Sequence, residues 1–143
     1  GLESLAGRLA CEAITDEEIA AIERLHYEMY GYYLNSEMHG YFQVNQRIHE
    51  SIVAAARNET LRTAYASFAG RIRRIRYSAN FARKRQRWGE AMREHEAILD
   101  ALRRRAGSEL ADILFQHLRN KRTAAIEHLA AAGDATATTA AGG

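Results

Sequence analysis

Phe42-Gln43-Val44-Asn45-Gln46-Arg47-Ile48-His49-Glu50-Ser51-Ile52-Val53-Ala54-Ala55-Ala56 decides the architecture. Phe42, Asn45, His49, Ile52 and Ala56 recur at intervals of three and four, so they share one face of an α-helix. Two members of that apolar face are polar. A neutral imidazole among aliphatic side chains needs a partner for its nitrogens. The helix around this stretch is expected over Glu37 to Arg57.

The same period continues on both sides. Leu2, Leu5, Leu9 and Ala13 give a first helix from Leu2 to Ala13. Thr15-Asp16-Glu17-Glu18 reads as a capping box, a Thr hydroxyl followed three residues later by Glu. It opens a second helix that reaches Leu34, with Ile19, Ile22, Leu25 and Met29 inward. Asn35-Ser36 marks a break. Asn58 reads as an N-cap for a fourth helix from Glu59 to Ala79, with Leu61, Tyr65, Phe68, Ile72 and Ile75 on one side. The polar segment from Asn80 to Gln86 is expected to hold a bend.

A fifth helix over Arg87 to Arg105 carries Trp88, Met92, His95, Ile98, Leu99 and Leu102. Ala106-Gly107-Ser108 reads as a stop followed by a cap. A sixth helix from Glu109 to about Ala131 carries Leu110, Ile113, Leu114, His117, Ala124 and His128. No strand alternation and no fixed-period repeat is found. The fold class is therefore all-α, an antiparallel helical bundle of about six or seven helices in one domain over residues 1–132. Residues 133–143 contain only Ala, Thr and Gly apart from Asp134, and are expected to form a flexible tail.

Composition supports this. The 143 residues include no proline, where average usage of about 5% would give roughly seven. Long unbroken helices explain the absence, because proline clashes inside a helix. The single cysteine, Cys11, excludes an internal disulfide and fits a reducing, cytoplasmic setting. No apolar run approaches the roughly 18 residues of a membrane helix. Gly1 to Ala13 is amphipathic rather than a secretory signal, and the start without Met reads as a fragment.

His49, His95 and His117 each stand where a core Leu or Ile would be expected, on three separate helices. A metal ion is the simplest shared partner. Imidazole suits Zn, Ni, Cu and Fe, and the Asn45 carbonyl oxygen adds a weak fourth ligand from one turn before His49. Neutral ligands leave a divalent charge uncompensated in a low-dielectric interior, so the site should recruit an anion, a bidentate carboxylate or a hydroxy acid. Taken singly, each histidine is more often a hydrogen-bonded core or interface residue than a ligand; the joint pattern on three helices favours the ion. His26, His39 and His128 sit less centrally.

Arginines cluster at Arg71, Arg73, Arg74 and Arg76, with further groups at residues 83–87 and 103–105. Such runs usually line a solvated face. Arg71 borders the apolar stripe and is the arginine expected to turn inward onto a ligand carboxylate. Asn120, one turn after His117, is a second pocket candidate. No helix-turn-helix pattern accompanies the basic groups, so this domain is not expected to touch nucleic acid itself.

In order and spacing, several motifs resemble the effector-binding and dimerisation (FCD) domain of GntR-type transcription regulators of the FadR subfamily. The segments are Leu2 to Ala10, Asn45-Gln46-Arg47-Ile48-His49, Ala56 to Leu61, Glu94 to Leu102 and His117-Leu118-Arg119. Asn45 stands where the family more often has Asp, and Ile48 where Phe is usual. The resemblance implies metal ligands at Asn45, His49, His95 and His117. It also implies a small carboxylate effector, a homodimer, and DNA contact through an N-terminal winged-helix domain outside this chain. No turnover is expected, because no nucleophile is paired with a base. A helical-bundle metalloenzyme would need a general base, and Glu94 and Glu96 point about 100° away from His95. A metal-free interaction domain is the other alternative.

Overall fold

The structure is a computed structural model that describes the backbone of residues 1–81 and 84–141, with side chains placed within 1–77 and 86–132. Six α-helices and no strand occur among the described residues: α1 (Leu2–Ala13), α2 (Asp16–Leu34), α3 (Met38–Ala55), α4 (Glu59–Phe81), α5 (Lys84–Arg103) and α6 (Gly107–Ala141). The chain is an all-α helical bundle, as the stripes require.

Local signals place most boundaries. The Thr15 hydroxyl accepts from the Glu18 amide at 3.2 Å and the Glu18 carboxylate accepts from the Thr15 amide at 3.0 Å, closing the capping box. The Asn58 side chain accepts from the Leu61 amide at 2.9 Å. The bend expected between Asn80 and Gln86 lies in part outside the described residues, at residues 82–83. Two other boundaries differ from expectation. No helix end occurs near Ala131, and α6 continues to Ala141. Its Ala-rich sequence holds no proline to stop it, and a single internal glycine costs only about 1 kcal/mol. Finally, Gly107 does not supply a left-handed stop. Arg105 does, at φ 53°.

Gly107 has a different use. A Cβ there would lie 2.9 Å from the Arg8 carbonyl oxygen. Gly7 repeats the theme, because its Cβ would meet Leu114 Cδ1 at 2.4 Å. Both glycines let α1 lie close against the start and middle of α6. The buried face of α1 is therefore Glu3, Ala6, Gly7, Ala10 and Cys11, and Leu5 is exposed. Small residues do the packing here, and that rotation brings the Glu3 carboxylate inside.

α3 is flanked by α1, α2 and α4, while α6 packs on α1, α4 and α5. Tyr41 rather than Phe42 begins the buried face of α3, and its ring stacks on Trp88 of α5 at 5.0 Å. Ile22, Met29, Val44, Ile48, Ile52, Ile98, Leu102, Leu110 and Leu114 form the main core. Each buried side chain of this kind contributes about 1.5–3 kcal/mol. The histidines of α3, α5 and α6 lie on the faces that close this core.

Candidate metal centre

His49, His95 and His117 meet inside the bundle. Their ring centroids are 4.9–5.2 Å apart, and each residue is about 1% exposed. One ligand nitrogen from each lies within 4.8 Å of the others. A point central to three such atoms is at most about 2.8 Å from each, about 0.7 Å beyond a Zn–N bond of roughly 2.1 Å. Small rotations of the rings close that gap.

The nitrogens lack ordinary partners. Both nitrogens of His95, Nε2 of His117 and both nitrogens of His49 accept or donate no aligned hydrogen bond, and neither polar atom of the buried Asn45 side chain does so. Leaving a buried polar group unpaired costs about 1–3 kcal/mol. Orphaned imidazole nitrogens around one point fit a cation held by imidazole ligands, and the Asn45 amide, one turn before His49 on α3, is buried and unpartnered as well.

Two carboxylates stand beside the rings. Glu94 Oε2 bonds His117 Nδ1 at 2.5 Å, which leaves Nε2 to face the centre. Glu3 Oε2 stands 2.9 Å from His49 Nδ1, close but out of hydrogen-bond alignment. Carboxylates behind ligating imidazoles fix the ring and raise its basicity. Thus Glu94, on the helix of His95, holds the histidine of the next helix. Burial would raise the Glu3 carboxyl, but Arg76 and His49 beside it keep it well below the usual carboxylate range.

All three histidines are held below their ordinary value near 6.5. Burial is the main cause for each. Arg76 is the next cause for His49, and the neighbouring histidines are next for His95 and His117. They are neutral at pH 7, the form that binds metal. Between pH 6.5 and the lowered values the unfolded chain takes up protons that the folded chain refuses. The metal-free protein should therefore keep its full stability above about pH 6.5 and lose it as pH falls, by up to about 4 kcal/mol per pH unit for three sites. Urea midpoints at pH 7.5, 6.5 and 5.5 check this; a midpoint unchanged at pH 5.5 contradicts it.

The other sequence candidates lie apart from the ring cluster. Arg71 is exposed. The arginine that turns inward is Arg76, fully buried, which donates to Gln46 at 2.7 Å, to Tyr65 at 3.2 Å and to Glu3. Asn120 is exposed and donates to Glu94 Oε1 at 2.7 Å, so it supports the carboxylate that holds His117. Three further buried cations or acids escaped the sequence reading: Glu3, Arg87 and Lys121. Each carries a positional signal. Glu3, Gly7, Ala10 and Ile14 are spaced by four, three and four. Lys121 follows His117 by four.

Comparison with known proteins adds the following. Residues 1–120 match the FCD domain family. The E. coli protein McbR/YncC has a similar structure, with a TM-score of 0.79 at 17% identity; the match covers 88% of this chain and 63% of that one. This chain therefore spans less than two thirds of that protein's length. No curated protein matches by sequence.

Proposed function

Because the chain belongs to the FCD domain family, the effector-binding domain of GntR-type regulators, we propose that it senses a small organic acid at a divalent transition metal, Zn or Ni. His49, His95 and His117 hold the ion, with Asn45 as the fourth ligand. Support comes from the convergence of three buried imidazoles, each of which keeps at least one ring nitrogen without a hydrogen-bond partner. The ion supplies a Lewis-acidic point with open positions for a carboxylate or hydroxy acid. This chain's residues exclude bulk water, fix the ring orientations through Glu3 and Glu94, and keep the imidazoles neutral.

The domain works by binding rather than turnover. An acid that binds one packing arrangement better shifts the population toward it. A homodimer then passes the shift to DNA-binding domains, which in this proposal lie in the part of the protein beyond this chain. No helix among the described residues is long and apolar enough to cross a membrane.

Protein purified without added metal should retain Zn or Ni near one equivalent per chain by elemental analysis. Lactate or another simple acid at about 100 times its Kd should stabilise the loaded protein by about 2.7 kcal/mol, with the acid recovered unchanged. Absence of bound metal contradicts the sensing centre. Consumption of the acid assigns the centre to catalysis instead.

A further inference from the structure

Arg87, in the first turn of α5, uses only part of its guanidinium. Nη1 donates to Glu90 at 2.7 Å, while Nε and Nη2 have no hydrogen-bond partner although the residue is buried. Those two nitrogens share one edge of the guanidinium and present two parallel N–H groups, the fork that matches a planar carboxylate. A second carboxylate, Glu94, has Oε1 at 3.7 Å from Nη2, too far for a hydrogen bond. Both Glu94 oxygens are already engaged, by His117 and Asn120.

Two further buried groups feel the charge of Arg87. The Tyr41 hydroxyl is fully buried with no partner, and Glu94 and Arg87 both act on it electrostatically. Lys121 is fully buried one turn beyond His117. Burial, with Arg76 and Arg87 adding repulsion, brings its ammonium down to about 7, against a pull from Glu94. A buried fork, a buried hydroxyl and a neighbouring ammonium make an interior that favours an added negative group. Glu94 stands beside both residues, with Oε1 3.7 Å from Arg87 Nη2 and Oε2 bonded to His117 Nδ1.

We propose that Arg87, the Tyr41 hydroxyl and Lys121 form a second acid-binding arm of the same centre, so that the effector is a dicarboxylate. One carboxylate lies at the metal position and the other in the Arg87 fork. The proposal rests on the metal-centred sensing function above and specifies its ligand class. A monocarboxylate fills the first position and leaves the fork unpaired. Discrimination of this kind is strong, because the penalty falls on donors that the site itself buries.

Calorimetric titration of the metal-loaded protein with lactate, malate and 2-hydroxyglutarate tests it, since all three share one 2-hydroxy-acid head. At least one diacid is expected to bind at least tenfold tighter than lactate. Arg87→Gln should bring that diacid within about twofold of lactate while metal content and lactate affinity stay unchanged. Tyr41→Phe, which preserves the stacked ring, should narrow the advantage severalfold. Lactate binding as tightly as both diacids overturns the proposal, as does a diacid advantage that survives both variants. If metal is retained and lactate binds, that result leaves the sensing centre standing. If the wild-type protein holds no metal, both fall together.

Discussion

His95→Ala is expected to abolish metal retention. Neither nitrogen of His95 has a hydrogen-bond partner, and among the described residues no carboxylate stands beside it as Glu3 does beside His49 and Glu94 beside His117. Removing an outer carboxylate from a metal site costs about 10–100-fold in affinity, and removing a ligand must exceed that. Elemental analysis of His95→Ala purified without added metal should find almost none. His128→Ala, altered on α6 outside the ring cluster, should match the wild type. Equal metal in the two variants contradicts the centre. His95→Leu adds a sharper test, because an aliphatic side chain replaces an unpaired buried imidazole. Without metal, that variant should unfold at higher temperature than the wild type; with metal, the order should reverse. A histidine kept only for packing would not produce the crossover.

The second large effect concerns Arg76. Its guanidinium is fully buried and neutralises Glu3, a carboxylate only 4% exposed. Arg76→Leu leaves that charge uncompensated inside the bundle. Breaking a buried pair from one side costs about 3–5 kcal/mol. For a chain of this size the unfolding midpoint should fall by roughly 10 °C or more. The double variant Glu3→Met, Arg76→Leu should recover most of the loss, since an apolar pair often substitutes for a buried ion pair without penalty. It should not recover metal affinity in full, because Glu3 also backs His49. A double variant as unstable as Arg76→Leu alone assigns the effect to lost packing instead.

Helix existence and the histidine set were legible because both are encoded as periodicity. His49, His95 and His117 interrupt apolar stripes that are otherwise continuous, and the interruption is visible without coordinates. The charged residues around them were harder to read. Arg71, Arg73, Arg74 and Arg76 look alike in sequence, and the stripe drawn through Phe68 favours Arg71. Phe68 proves to be exposed, so the face it defines points outward. Arg76 follows Ile72 by four and Tyr65 by eleven, which is the face the bundle buries. Glu3 was hidden for a related reason. The leucines of α1 suggested its inner face, whereas close approach to α6 is made by Ala6, Gly7 and Ala10. Which side a helix turns inward depends on how near its neighbour comes, and glycine spacing signals that more faintly than leucine spacing does. Arg87 and Lys121 share the difficulty: a long basic side chain on an apolar stripe reads as a boundary until the space around it is known.

Glu3 comes from α1, His49 from α3, Arg76 from α4, His95 from α5 and His117 from α6. Five of the six rods thus end their polar reach at one keystone rather than in a loop or lid. An occupant there cannot be felt by one segment alone. Ordering should spread through the bundle as a unit, and slowed amide exchange should appear along distant stretches of backbone that never touch the guest.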